Sequence, residues 1–247
     1  MSVYLGNIKI GEVYLGNNKI IEAYLGNTKV YEAKSAETYT FYDWIQADST
    51  TGVPNIDTGL APNLSSLWIF EGKFARTSSL PSNYASTWIF SKTNSAGYIS
   101  NYSLGRIGKS STLLSFNYNS RANSETYCGK PSTTISTGDW HTFKLQASSG
   151  ISYGGELILD GVVTTYDYGS KPVSSTSTLK ILPANTTSNV PYPCKFAEFK
   201  ITHDGNLVRD FIPAKRDSDN IVGLYDIVNN IFYEPQSGCT LICGNGF

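Results

Sequence analysis

Three consecutive copies of one decapeptide open the chain, and their even period is the tightest constraint on what it can fold into. The copies are Tyr4-Leu-Gly-Asn-Ile-Lys-Ile-Gly-Glu-Val, Tyr14-Leu-Gly-Asn-Asn-Lys-Ile-Ile-Glu-Ala and Tyr24-Leu-Gly-Asn-Thr-Lys-Val-Tyr-Glu-Ala, in register. Side chains of an extended chain alternate between two faces, so an even repeat returns every equivalent residue to the same face. Gly6-Asn7, Gly16-Asn17 and Gly26-Asn27 supply turn residues that tolerate positive φ. Each unit therefore reads as strand, turn, strand. Together the copies make only about thirty residues, below the size at which a chain buries its own core unaided. They need a partner surface: the following domain, copies of the same segment in a homo-oligomer, or a docking protein in a larger particle. The last two together are expected, with Tyr4, Leu5, Tyr14, Leu15, Tyr24 and Leu25 carrying oligomerisation and anchoring.

The repeat fades over residues 34–40, Lys-Ser-Ala-Glu-Thr-Tyr-Thr, which read as a junction between a repeat segment at 1–33 and a domain at 41–247. In the second region the period is two. Trp68, Phe70 and Phe74 share one strand face, with Glu71 and Lys73 on the other; His141, Phe143, Leu145 and Ala147 alternate with Thr142, Lys144 and Gln146. Ala197, Phe199 and Ile201 alternate with Glu198, Lys200 and Thr202. Asp160-Gly161 and Asp204-Gly205, each between apolar runs, are strong hairpin signals. Helical periodicity is not sustained anywhere, so many short strands and hairpins predict an all-β, two-sheet antiparallel sandwich or jelly roll, preceded by a short β-rich repeat segment.

Composition narrows the function. With 247 residues, 40% of them hydrophobic, the chain can bury a sizeable core. Charged residues are only 16% and the net charge is −1, so no basic surface awaits nucleic acid or anionic lipid. No apolar run approaches the length of a membrane-spanning helix, and no membrane insertion is expected. The first residues, Met-Ser-Val-Tyr-Leu-Gly, lack the basic and apolar stretches of an export signal. A surface rich in Tyr, Ser, Thr and Asn without such a signal fits a protein made in a cytoplasm and released by lysis, as virion components are. Cys128, Cys194, Cys239 and Cys243 show no Cys-x-x-Cys spacing and the two histidines no ligand spacing, so free thiols, no metal and no cofactor are expected.

Four stretches carry a family resemblance. Ile56-Asp-Thr-Gly-Leu-Ala-Pro62, Trp140-His-Thr-Phe-Lys-Leu145, Glu156-Leu-Ile-Leu-Asp-Gly161 and the closing run Phe199–Tyr233, with its Arg-Asp-Phe-Ile-Pro and Gly-Leu-Tyr-Asp elements, resemble the concanavalin A-like lectin/glucanase superfamily. The likeness is to the laminin G-like jelly rolls of gut bacteriophage and bacterial surface proteins, and the decapeptides resemble repeats at the start of phage tail and other virion proteins. The resemblance implies a two-sheet jelly roll whose concave face often binds glycans, in a superfamily that also holds hydrolases and purely structural modules.

Chemistry of hydrolysis is not visible. The strand-borne Glu-x-Asp-x-x-Glu that glucanases of this superfamily carry is absent, and Glu198 has Lys200 where a second carboxylate would be needed. Gly-x-Ser-x-Gly, His-Glu-x-x-His and phosphate-binding glycine loops are absent too. Arg209, Asp210, Arg216, Asp217, Asp219 and Asp226 in the closing run read as ion pairs that tie down turns. Glycan recognition asks for aromatic faces beside planar hydrogen-bonding groups, and Gly97–Cys128 offers them, with Tyr98, Tyr102, Arg106, Tyr118 and Arg121 as candidate binding residues. The expected function is a non-enzymatic bacteriophage virion protein, a head- or tail-fibre type adhesin. Residues 1–33 would contact other virion proteins and assemble a homo-oligomer, a homotrimer by resemblance, while the jelly roll would face host-surface or mucosal glycans. Alternatives are a structural decoration protein without sugar binding and a glycoside hydrolase.

Overall fold

The computed structural model describes residues 3–5, 8–10, 13–15, 18–20, 22–25, 28–32, 37–48, 55–62, 66–77, 89–93, 99–104, 116–121, 124–128, 135–148, 154–167, 178–182, 194–236 and 238–246. Side chains are described for residues 37–48, 55–62, 66–77, 89, 135–146, 155–165, 178–182, 194–236 and 238–245. The chain divides into two compact units, Met1–Thr38 and Tyr39–Phe247.

In the first unit each decapeptide forms its own two-stranded antiparallel sheet: β1 (Val3–Leu5) with β2 (Ile8–Ile10), β3 (Val13–Leu15) with β4 (Asn18–Ile20), and β5 (Glu22–Leu25) with β6 (Thr28–Glu32). The register repeats with the sequence. Tyr4 lies opposite Lys9 and Leu5 opposite Ile8, and the same places are taken by Tyr14 and Lys19, Leu15 and Asn18, Tyr24 and Lys29, and Leu25 and Thr28. The paired strands of that reading are borne out, while Gly6-Asn7, Gly16-Asn17 and Gly26-Asn27 lie outside the described residues. The third hairpin adds a register shift between Ala23 and Tyr24 and reaches as far as Glu22 opposite Glu32.

The second unit is built from β7 (Tyr39–Ala47), β8 (Ile56–Asp57), β9 (Trp68–Arg76), β10 (Phe90–Thr93), β11 (Ile99–Leu104), β12 (Phe116–Arg121), β13 (Ser124–Cys128), β14 (Trp140–Ser148), β15 (Gly154–Leu159), β16 (Val162–Asp167), β17 (Leu179–Ile181), β18 (Cys194–His203), β19 (Asn206–Arg216), β20 (Val222–Asp226), β21 (Ile231–Tyr233) and β22 (Leu241–Gly246). There is no helix among the described residues. One sheet of ten strands runs β16-β15-β14-β9-β18-β7-β19-β20-β21, with β22 also on β7; the other, of six, runs β13-β12-β11-β10-β17-β8. The strand pairings are antiparallel. The chain passes repeatedly between them: β7 and β9 lie in the large sheet and β8 between them in the small one, β10 to β13 return to the small sheet, β14 to β16 to the large, and β17 crosses once more before β18. This is the two-sheet antiparallel jelly-roll sandwich expected from the strand pattern.

The core lies between the sheets. Phe70, Phe74, Leu145, Phe196, Phe199, Ile201, Phe211 and Leu224 of the large sheet share one buried cluster with Ile56, Leu179 and Ile181 of the small one. Phe199 is its hub, with ring centroids 5.8 Å from Phe196, 6.2 Å from Phe143, 6.3 Å from Phe211 and 6.4 Å from Phe70. The alternation read along β9 and β14 holds, with Trp68, Phe70, Phe74, His141, Phe143 and Leu145 all buried. Along β18 it needs a correction. A register shift between Phe196 and Glu198 lets Phe196 join Phe199 and Ile201 in the core, while Ala197 is only half-buried. Strict alternation cannot show a bulge, because the extra residue breaks the period that the argument counts. Both Asp-Gly hairpins form as expected: Asp160 and Gly161 have φ of 49° and 82°, and Asp204 and Gly205 have 47° and 82°, the doubly positive geometry of a tight hairpin turn.

Candidate functional site

Tyr102, Tyr118 and Arg121 of the candidate glycan residues fall on the small sheet. Tyr102 on β11 and Tyr118 on β12 are direct register partners, and Tyr118 faces Thr126 of β13 on its other side. Residues opposed across antiparallel strands are near neighbours, so the pairing juxtaposes two of the expected tyrosines. Arg121 ends β12 opposite Ser124, past a register shift that begins at Tyr118. Tyr98 and Arg106 lie outside the described residues. Trp68 on β9 is buried and stacked 4.0 Å from the His203 ring.

The charged set of the closing run forms turn-locking pairs. Asp226 is fully buried at the end of β20; its Oδ1 accepts the backbone N–H groups of Asp210 and Val228, both at 3.1 Å, and its Oδ2 accepts Asn229 Nδ2 at 2.6 Å. Arg209 Nε stands 3.4 Å from the same carboxylate. Asp217 Oδ1 accepts the Thr40 hydroxyl at 2.8 Å, which ties β7 to the turn after β19. Arg216 closes that turn. Its Nε donates to Asp219 Oδ1 at 3.0 Å and its second terminal nitrogen to Asp219 Oδ2, while the other terminal nitrogen reaches Glu234 Oε1 at 2.6 Å. Hydrogen bonds from Arg216 hold the Asp219 carboxyl below its ordinary range, and the two carboxylates raise the Arg216 guanidinium.

Beside this clamp lies an aromatic cluster that sequence reasoning missed. Tyr39 stands 4.8 Å from Tyr225 and 5.3 Å from Phe232, Phe41 is 5.8 Å from Tyr225, and the Arg216 guanidinium lies 5.3 Å over Phe232. Tyr225 and Phe232 are register partners across the hairpin of β20 and β21. The Asn229-Asn230 turn between Gly-Leu-Tyr-Asp and Ile-Phe-Tyr carried the signal for that pairing. Tyr39, nearly two hundred residues away, has no such local signal.

His141, read from sequence as an ordinary strand residue, is buried and bridges two loops. Its Nδ1 lies 2.7 Å from Asp160 Oδ2, in the turn between β15 and β16, and its Nε2 lies 3.3 Å from Ser136 Oγ. The order serine, histidine, aspartate suggests an activated nucleophile. However, the Ser136 hydroxyl has one proton and donates it to Asp139 Oδ2. With Asp160 Oδ1 also accepting the Thr142 N–H at 2.8 Å, the group serves as a strut that fixes the hairpin turn. Glu71 is paired with Lys144 at 3.1 Å, and Asp210 stands 3.8 Å from Lys200.

No protein-family model matches the chain, and no curated protein does. Solved structures do. A candidate carbohydrate binding protein from Bacteroides ovatus ATCC 8483 superposes with a TM-score of 0.56 at 12% identity, over 90% of this chain and 65% of that one. The chain thus spans just under two thirds of that protein's length. A heptameric SAP-like pentraxin from Limulus polyphemus matches at a TM-score of 0.41 and 13% identity, over 66% of this chain and 74% of that one. The CBM40 of the Ruminococcus gnavus IT-sialidase, bound to alpha2,3 sialyllactose, matches at 0.43 and 11%, over 68% and 94%. At such identities the likeness is one of fold, and the Bacteroides ovatus protein shares it most fully of these three.

Proposed function

We propose that this protein is a non-enzymatic virion adhesin of a bacteriophage, with a concanavalin A-like, laminin G-like jelly roll that binds host-surface or mucosal glycans through its six-stranded sheet. The observation that carries the reading is the direct opposition of Tyr102 and Tyr118 on β11 and β12, with Arg121 at the end of the same strand. Aromatic faces and planar donors held on a rigid sheet are what sugar recognition needs. The likeness in fold to the candidate carbohydrate binding protein of Bacteroides ovatus supports it. Residues 1–33 anchor the protein to other virion components and assemble a homotrimer, in which the short edges of the decapeptide hairpins find partners. The jelly roll is displayed on the particle surface.

The test is binding of the intact chain to a panel of bacterial envelope polysaccharides and mucin glycans, alongside Tyr102→Ala and Tyr118→Ala. Saturable binding, weakened by about tenfold or more in either variant, is expected, because losing one stacked ring removes on the order of 1–2 kcal/mol. A folded chain that binds nothing on the panel would instead be a structural decoration protein.

A further inference from the structure

Beyond the six-stranded sheet, a cleft of about 500 Å³ opens in the closing region, between the turn that follows β19 and the segment that follows β21. Ile221, Val222, Pro235 and Leu241 give it apolar lining; Asp219, Asn220, Glu234 and Gln236 give it polar lining. That combination, at that volume, is the pattern of a small-ligand site.

Its walls are fixed before any ligand arrives. In one wall, Asn220 N–H donates to Arg216 O and Arg216 N–H to Ile221 O, both at 2.9 Å, and Asp219 Oδ1 accepts the Ile221 N–H at 3.1 Å. The other wall is tied to the sandwich where Gln236 N–H donates to Asn55 O at 3.0 Å and Asp48 N–H to Thr240 O at 3.1 Å. Arg216 spans the two, with its fork on Asp219 of the first wall and Glu234 of the second. This clamp consumes the guanidinium and only part of the carboxylates. Glu234 Oε2 and the side-chain amides of Asn220 and Gln236 take no hydrogen bond from the described residues, and all three residues are exposed.

We propose that this cleft binds one pyranose residue of a glycan, uncharged or carrying an amino group, and rejects acidic sugars. The free amides and Glu234 Oε2 meet ring hydroxyls, and the apolar lining meets the C–H face. Asp219 and Glu234 outweigh the single Arg216 by one negative charge, which disfavours a uronic or sialic acid and favours an ammonium. Arg216 is a positioning residue that sets the spacing of the walls. The site lies apart from Tyr102 and Tyr118 in sequence and in sheet, so it stands or falls independently of the reading given above.

Saturation-transfer NMR on the intact chain, with glucose, glucosamine and glucuronic acid as probes, tests it. Transfer to glucosamine and glucose but not to glucuronic acid is expected. Gln236→Ala should weaken both by about threefold or more, and Glu234→Gln should weaken glucosamine by about tenfold, as losing a hydrogen bond to a charged group implies. Both positions are exposed, and an unchanged thermal midpoint for Gln236→Ala verifies its fold. Tyr118→Ala should leave this transfer intact. With Tyr102 and Tyr118 both replaced by alanine as the background, absence of transfer from every probe, equal transfer to glucuronic acid, or transfer that survives both cleft substitutions overturns the assignment. Transfer abolished by Tyr118→Ala and by neither cleft variant places the sugar on the six-stranded sheet instead.

Discussion

Asp210 shows how a single carboxylate can be held at a cost. It is buried on β19, its Oδ1 has no hydrogen-bond partner among the described residues, and Lys200 stands 3.8 Å from its carboxylate. Burial raises its pKa above the ordinary value, against the pull of Lys200 and with help from Glu198 and Asp226. A carboxyl raised on folding favours the native state while it is protonated, below the unfolded pKa of about 4, and loses that favour as pH climbs through its folded value. Asp210→Asn keeps the shape and drops the charge. It is therefore expected to raise the thermal midpoint at pH 7, by on the order of 1 kcal/mol in stability, and to lose that advantage below pH 4. Thermal melts of the two proteins across that range check it; a variant less stable than wild type at pH 7 would mean that the Lys200 pairing outweighs the burial.

Hairpins and their turns were the elements most legible in the sequence, because the Asp-Gly signals act over four residues and need nothing distant. Asp160-Gly161 and Asp204-Gly205 turn where their chemistry places them, and the strands of each decapeptide pair on either side of its Gly-Asn. The bulge at Phe196–Glu198 was not legible, since it answers to packing against Phe199 and to pairing with β9. Nor was the pairing of Tyr102 with Tyr118, whose strands are separated by a long stretch without a turn signal that fixes register. The cleft beyond β21 escaped for a related reason: Arg216 and Asp219 are close in sequence, but Glu234 and Gln236 reach them only through the β20–β21 hairpin. That hairpin also contains the tightest backbone approach with a local test. A Cβ on Gly223 would stand 2.3 Å from the Tyr233 carbonyl oxygen and 2.8 Å from the Phe232 ring. Gly223→Ala should destabilise the protein by about 1–3 kcal/mol or more, as overpacking does, because a paired strand cannot give way. A denaturant midpoint equal to wild type would contradict that packing.

The molecule joins two units of different kinds, a repeat segment of about thirty residues, below the length at which a chain buries its own core unaided, and a sandwich with a buried core. The equivalent placement of Tyr4, Tyr14 and Tyr24, each opposite a lysine, suits a segment that closes its edges against copies of itself. Light scattering on the intact chain should give the mass of a trimer, and substituting all three tyrosines by alanine should return it to a monomer with the sandwich still folded. A monomeric wild type at micromolar concentration would contradict self-assembly through the repeats. Binding isotherms of the intact protein on immobilised envelope polysaccharides and mucin glycans test the proposal that the sandwich is a glycan receptor. Saturable binding to at least one of them, lost on replacing Tyr102 and Tyr118 together by alanine, is expected. Binding unaltered by that double substitution, or no binding by the folded wild type, would contradict it.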